Sequence, residues 1–312
     1  QAGINFRATD IHFEPELDHL SVRYRIDGVL YPLGKLPKDS YPQILTQIKI
    51  LTGVRLDQGN TIQEGRFSIF TDNSDDLLDT RVSIIPGGYG QTVVIRILYQ
   101  DTASLPLEKL GMNSGHLQIL EPQLNQTQGL ILVTGPTSAG KSTTLYSILQ
   151  RVNRPGVKVI TIEDPIEYRQ PGILQTAVNH ETGYTFVTAL RALLRQNPNI
   201  IMLGEIRDAE TAKVSMQAAA TGHLLLSTLH TNDSVSALLR LQDLGISLTD
   251  SSTFVNAIIA QRIVRTLPEA CRQERPLSDT EIAHFKKILP ERHHDKIPEV
   301  VYDSNPSPQC PQ

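Results

Sequence analysis

Gly135-Pro136-Thr137-Ser138-Ala139-Gly140-Lys141-Ser142-Thr143 is the stretch from which the fold of this 312-residue chain is read. Two glycines five apart, followed by Lys and Ser, make the pattern of a phosphate-binding loop. Its flanks agree with that reading. Gly129-Leu130-Ile131-Leu132-Val133-Thr134 predicts a short buried strand, and Thr143 to Leu149 predicts the first turns of a helix. A glycine-rich loop between strand and helix lets backbone N–H groups approach phosphate oxygens with no Cβ in the way. The helix N-terminus adds partial positive charge. In such a loop Lys141 reaches the β- and γ-phosphates and the Ser142 hydroxyl binds Mg²⁺. The alternative, an ordinary Gly-Ser loop, accounts for the composition but not for the strand before it and the helix after it.

Working outward, apolar runs at 130–134, 157–162, 200–203 and 224–227 alternate with helical stretches. Continuous apolar strands separated by helices predict a parallel sheet covered on both faces. Ligands in such sheets bind beyond the carboxyl ends of the strands. Glu163-Asp164-Pro165-Ile166-Glu167 follows the second run, and Gly204-Glu205-Ile206-Arg207-Asp208 follows the third. Glu163 is expected to orient and activate a water for attack on a γ-phosphate, and Glu205 to hold Mg²⁺, often through water. The alternative for each is a helix-capping acid on a solvated loop, and for Glu167 the two readings balance. His223 and His230 flank the fourth run, more than about 20 Å apart if extended, which argues against a shared metal. His230 stands at the carboxyl end, where it would sense the γ-phosphate, orient a carboxylate or simply bond a backbone group. His223 reads as structural or coupling.

Upstream, residues 1–99 read as a small α+β domain. Leu20, Val22, Tyr24 and Ile26 alternate with Ser21, Arg23 and Arg25, a half-buried strand, and Asp27-Gly28 turns it into a hairpin. A helix is expected from about Asp39 to Leu51, ended by Gly53, then a strand over 64–70 and an acidic loop over 71–79. Two strands, 80–85 and 92–98, flank Pro86-Gly87-Gly88-Tyr89-Gly90 and carry Arg81 and Arg96. Residues 100–112 read as a linker to a second domain over 113–312. Arg191 and Arg195 lie four apart on a helix face over 188–196. The stretch from Cys271 onward is polar and Pro-rich, with one amphipathic helix over Asp279–Leu289.

Composition bounds the class. The chain is 39% hydrophobic and 20% charged, as in an ordinary globular protein. A net charge of −4 without a dense Lys/Arg run argues against nucleic acid as a partner. No apolar run approaches the roughly 20 residues of a membrane span, and no signal peptide opens the chain. The two cysteines, Cys271 and Cys310, make no disulfide framework and fit a reducing compartment. Opening on Gln1-Ala2-Gly3, the sequence reads as a piece of a longer protein.

Taken together, these blocks resemble the secretion and pilus ATPase superfamily, in its assembly branch of type II secretion and type IV pilus assembly ATPases. Ala8-Thr9-Asp10-Ile11-His12-Phe13-Glu14-Pro15 and Arg25-Ile26-Asp27-Gly28 look like that branch's N-terminal motifs. Glu163-Asp164-Pro165 looks like its aspartate box, Gly204 to Asp208 like its atypical Walker B, and Thr221 to Asn232 like its histidine box. The resemblance covers roughly residues 6–267. It implies an α/β protein, with a PAS-like α+β N-terminal domain followed by a RecA-like P-loop ATPase domain with a mainly parallel sheet. It implies ATP and Mg²⁺ as cofactors, a homo-hexamer, and partners that include an inner-membrane platform protein and other secretion or pilus machinery. By similarity Glu163 is the catalytic glutamate, and Glu205 positions Mg²⁺ or water. Arg81 and Arg96 close onto the nucleotide, and Arg191, Arg195 and Arg207 belong to the ATP-site region.

Departures from the family pattern are specific. Asn197-Pro198-Asn199 stands where Asp-Pro-Asp is usual, and Ser138-Ala139 where Gly-Ser is common. Pro268 stands where the first Cys of a four-cysteine zinc module would fall. No structural zinc is therefore expected, the alternative being Cys271 and Cys310 with two of His284, His293 and His294. The family's upstream partner-binding domain is absent from the sequence. The expectation is a cytoplasmic, Mg²⁺-dependent motor ATPase, peripheral to the inner membrane, that drives assembly of a pilus or pseudopilus. Its rivals are a pilus retraction motor, a nucleotide-sensing scaffold with little turnover, and a DNA-translocating ATPase, the last disfavoured by charge.

Overall fold

The computed structural model describes residues 2–71, 74–99, 105–264, 266–267 and 269–304. It divides into two compact units, Gln1–Ile263 and Val264–Gln312. The first begins with a single helical turn, α1 (Ala2–Asn5), and a six-stranded antiparallel sheet built from β1 (Asp10–Pro15), β2 (His19–Ile26), β3 (Val29–Pro37), β4 (Gln63–Thr71), β5 (Ser74–Gly87) and β6 (Gly90–Leu98). Their spatial order is β3-β2-β1-β6-β5-β4. In β2 the alternation holds: Leu20, Val22 and Tyr24 are buried, while their neighbours are half-buried. The turn between β2 and β3 has positive φ at both Asp27 and Gly28, as the right-handed twist of a two-residue hairpin requires. Helix α2 (Tyr41–Thr52) lies across one face of the sheet. Its Tyr41, Ile44, Leu45 and Ile48 pack against Val22, Val82, Ile84 and Val93. Gly53 ends it in the left-handed conformation.

One expectation fails here. The stretch 71–79, read as an acidic loop, lies mostly in the β4–β5 hairpin, where Asp79 pairs with Ser68 and Leu78 with Ile69. Residues 72–73 lie outside the described residues. The ladder between β5 and β6 begins at Asp79 and Leu98, whereas that between β4 and β5 starts at Thr71 and Ser74, so the pairing extends the strand past the point where an apolar pattern would show it. Asp79 accepts a 2.6 Å hydrogen bond from the Ser68 hydroxyl, and Leu78 is buried. Of the stretch read as a linker, residues 100–104 lie outside the described residues. Leu107 is buried in the core of the second sheet.

That second sheet holds β7 (Gly129–Thr134), β8 (Val159–Glu163), β9 (Leu174–Ala177), β10 (Ile200–Leu203), β11 (Leu224–Leu229) and β12 (Val255–Ala260) in the order β12-β7-β11-β10-β8-β9, all pairs parallel. Four of these strands fall on the four apolar runs; β9 and β12 extend the sheet at its edges. Alternate residues face opposite layers. Ile131, Val133, Val159 and Met202 pack under α3 (Ser114–Leu124) and α4 (Lys141–Val152). Leu130, Leu132, Ile160, Ile162 and Leu203 pack against α5 (Phe186–Leu193), α6 (Ala209–Ala220) and α7 (Ser234–Asp243). Helix α8 (Leu248–Phe254) runs directly into β12. Parallel strands place all their carboxyl ends on one edge of the sheet, so Thr134, Glu163, Leu203 and Leu229 open onto a common rim.

The second unit holds the antiparallel pair β13 (Arg272–Pro276) and β14 (Val300–Ser304), with α9 (Asp279–Ile288) between them in sequence. Ser278 caps α9 through a reciprocal box with Glu281. Arg275 pairs with both Glu281 and Asp303, joining helix to hairpin. Cys271 is buried; Pro268 and Cys310 lie outside the described residues.

Candidate nucleotide-binding site

The phosphate loop joins β7 to α4. Gly140 is the N-cap of α4 with φ +79°, and Ser138 also takes a positive φ. At Gly135, φ is +156°, and a Cβ would meet the Gln261 carbonyl at 2.6 Å and the Ala139 Cβ at 2.9 Å. The loop is therefore closed to any side chain there. Lys141 is 8% exposed and donates to the carbonyls of Gly135, at 3.0 Å, and Pro136, at 2.9 Å. Burial pushes its ammonium below the ordinary range, and the negative charge of Glu205 partly offsets this. Pro136, Thr137 and Ala139 complete the loop, and Ser142 and Thr143 open the helix, with Ser142 exposed.

Glu205 follows β10 on the same rim. Arg207 Nη2 lies 2.5 Å from its Oε1, and His230 Nε2, just past β11, lies 3.3 Å from its Oε2. The contact with Glu205 raises the guanidinium pKa of Arg207 further above its ordinary value. Capping of α6 falls to Asp208, whose side chain accepts from the Thr211 N–H. Glu205 is thus not the capping acid of that helix. Its side chain is 14% exposed, so water reaches it.

Glu163 has a different environment. It is 4% exposed and points under α4. One carboxylate oxygen accepts a short hydrogen bond from the Tyr146 hydroxyl. The other accepts from Thr161 Oγ1 at 2.5 Å and Gln175 Nε2 at 3.1 Å. Tyr146 lies five residues along α4 from Lys141, about 7.5 Å at the rise of a helix. Between β7 and β8 stand β11 and β10, which puts the two strand ends about 14 Å apart. Burial and the neighbouring carboxylate push the Tyr146 hydroxyl pKa far up, which keeps it a donor.

Arg81 and Arg96 are direct cross-strand neighbours on β5 and β6. With Arg66, Asp10, Glu64 and Pro165 they line a cleft of about 390 Å³. Arg81 Nη2 is 3.4 Å from Glu167 Oε1, and Arg96 Nε donates at 2.8 Å to Asp10, whose side chain is nearly buried. Arg81 thus meets the segment after β8, whereas Arg96 is held by β1 and shares only the cleft lining with Pro165. Arg191 and Arg195 are not brought to the loop. They sit in the layer opposite α4, where Arg191 pairs with Glu210 at 3.1 Å and Arg195 donates to the Arg191 carbonyl. Arg191 lies on the exposed face of α5 and Arg195 in the single 3-10 turn that follows it, and both are exposed with partners close in the chain or on α6.

Three groups escaped sequence reading: Tyr146 and Gln175 around Glu163, and Gln261 against the loop. Tyr146 stands in the motif's helix, but nothing in its spacing links it to a carboxylate 17 positions on. Gln261 is more than a hundred residues from the loop it touches, beyond any local signal. Among the described residues, no group of three or more His, Cys, Asp or Glu side chains is placed to hold a metal by itself.

Comparison with known proteins extends the picture. Residues 2–310 match the family described as "Type II/IV secretion system protein". The chain is similar to type II secretion system protein E of Dickeya dadantii (strain 3937), at 43% identity over 277 residues, covering 89% of this chain and 55% of that protein. It is also similar to type II secretion system protein HxcR of Pseudomonas aeruginosa, at 45% identity over 267 residues, covering 86% and 56%. The chain therefore spans little more than half the length of these curated relatives. Among solved structures, that of the pilus retraction motor PilT with bound ADP matches with TM-score 0.62 and 28% identity, covering 88% of this chain and 77% of that one. The expected α/β architecture, with a RecA-like parallel sheet beside an antiparallel one, agrees with that match.

Proposed function

This chain belongs to the type II/IV secretion system protein family, and on that premise we propose that it is the nucleotide-hydrolysing part of a motor ATPase that powers a type II secretion pseudopilus or a type IV pilus. One observation carries the reading. The loop Gly135–Thr143 ends in a buried lysine on the same sheet rim as Glu205, a half-shielded carboxylate whose charge reaches that lysine. A triphosphate fits this cradle: its oxygens would replace the Gly135 and Pro136 carbonyls as partners of Lys141. Ser142 and, through water, Glu205 would hold the magnesium ion, whose positive charge offsets that of the phosphoryl oxygens.

In this proposal Glu205 orients the attacking water and takes its proton. The water oxygen bonds to the γ-phosphorus as the bond to the bridging oxygen breaks, leaving ADP and phosphate. Glu163, the catalytic glutamate that the family resemblance implies, stays the alternative base: its oxygens are held by Tyr146, Thr161 and Gln175 under α4, and that role would require these contacts to open. Glu163 holds Tyr146, and with it the helix that carries Lys141. His230 and Arg207 orient Glu205. Arg81 and Arg96 would move from Glu167 and Asp10 onto phosphate when the antiparallel sheet closes on the site. In a homo-hexameric ring at the inner membrane, that closure and its reversal would pass motion to a platform protein.

The test is Mg²⁺-dependent phosphate release from the assembled protein. Lys141→Ala should lose nucleotide binding. Absence of turnover in the unaltered full-length protein would leave a nucleotide-sensing scaffold. The relatives at 43% and 45% identity are named for type II secretion, which favours assembly. The likeness to a retraction motor keeps that second reading in play. Deletion of the full-length gene decides between them: loss of secretion or of surface pili supports assembly, whereas hyperpiliated cells would show retraction.

A further inference from the structure

We propose that Gln261 is a positioning residue for the phosphate loop, setting the direction of a backbone amide that faces the phosphates; this rests on the nucleotide reading above. Gln261 follows β12, the strand beside β7. Its backbone N–H donates to the Thr134 carbonyl at 2.9 Å, at the very start of the loop. Its carboxamide reaches across the back of the loop. Nε2 donates at 2.6 Å to the Ala139 carbonyl, and Oε1 accepts at 2.8 Å from the Thr144 hydroxyl in the first turn of α4.

The geometry of the peptide unit turns these contacts into a function. In a planar trans peptide the C=O and the next N–H point in opposite directions. Holding the Ala139 carbonyl against Gln261 therefore turns the Gly140 N–H away from Gln261, toward the inside of the loop. Gly140 is also the N-cap, where the unpaired amides of α4 begin. The Ala139 carbonyl can only accept, so it fixes Nε2 toward the loop, and the Thr144 hydroxyl, donating to Oε1, holds the other end of the carboxamide. The next residue extends the brace: Arg262 donates to the Asn232 carbonyl at 2.9 Å, on the loop that carries His230.

Gln261→Met keeps the length and removes both hydrogen bonds. It should raise the Kd for ADP, measured without metal by fluorescent-nucleotide titration, about three- to tenfold. In the full-length protein KM for ATP should rise while kcat is kept. Thr144→Val should act in the same direction by a smaller factor. The double variant should bind ADP about as weakly as Gln261→Met alone, since the two act through one carboxamide. In the ligand-free protein, amide hydrogen exchange over 135–141 should speed up in Gln261→Met. An unchanged ADP affinity with unchanged exchange would overturn the proposal, as would a fall in kcat at constant KM or fully additive effects of the two substitutions. If the unaltered protein binds no ADP, the nucleotide reading itself fails and the role in anion binding goes with it. That result is told apart by its independence of residue 261.

Discussion

Tyr146→Phe removes one oxygen from the molecule, and its cost follows from where that oxygen sits. Tyr146 is 1% exposed and donates to the Glu163 carboxylate. The ring stays, still edge-on to Tyr168, so no cavity term of consequence arises. What is lost is a hydrogen bond to a charged group, worth about 1.5–3 kcal/mol, and with it a long 3.4 Å bond accepted from the Tyr168 N–H, which adds little. Water cannot refill the place without disturbing α4. Glu163 keeps Thr161 and Gln175 on its other oxygen, which argues for that range and not the larger penalty of an orphaned buried charge. The assay is urea unfolding followed by far-UV circular dichroism. The midpoint should fall with the slope unchanged. Glu163→Gln in the Tyr146→Phe background should cost clearly less than in the parent, as expected for contacting residues. A loss under about 0.5 kcal/mol, or strict additivity, would show that the bond does not hold the helix, and the positioning role given to Glu163 would fall.

Glu205→Gln should cut phosphate release by about 10²- to 10⁴-fold while ADP binding persists, the range for loss of a general base; turnover near the parent level would return that role to Glu163. Arg96→Ala should weaken turnover in the assembled ring and also lower stability by about 1 kcal/mol, because it strips a partly exposed partner from Asp10; restored stability in Asp10→Asn/Arg96→Ala, with turnover still low, would separate the two effects. His12 has its pKa lowered below 6.5, first by burial, against the opposing charges of Glu14 and Asp10 and with help from Arg25 and Arg23. A lowered folded-state value means the unfolded chain binds the proton more readily, so this contribution to stability is full above about pH 6.5 and is lost as pH falls through the folded value. His12→Gln should therefore flatten the melting temperature between about pH 7 and 5, and an unchanged slope there would refute the assignment.

Local chemistry made much of this molecule legible. Asp27-Gly28 announced a hairpin because two positive φ values are needed there, and Gly53 announced a helix end for a related reason. The four buried strands of the parallel sheet were visible because strands covered on both faces are apolar throughout. The strand β9 was not, since an edge strand such as Leu174-Gln175-Thr176-Ala177 owes its place to neighbours and not to its own burial. The acidic stretch 74–79 misled because its strand character comes from pairing with β4 and not from an apolar pattern of its own. At the site, the positions of the loop and of Glu205 could be read from the chain because each closely follows a buried apolar strand. The engagement of Glu163 by Tyr146 and Gln175 could not, because a carboxylate after a strand looks the same whether it faces water or a tyrosine. Gln261 was invisible for want of any local pattern.

The place of β12 has a consequence for how the protein is made. Until residues 255–260 have left the ribosome, β7 is an outer strand of its sheet with a bare row of N–H and C=O groups. The loop that follows β7 is also unbraced, since its contact at Gln261 comes 122 residues after Ala139. A nascent chain with its phosphate-binding motif fully synthesised therefore lacks both the strand that shields β7 and the side chain that shapes the motif. Such a chain is open to pairing with other strands. A fragment ending before β12 should collect in aggregates even though every motif residue is present.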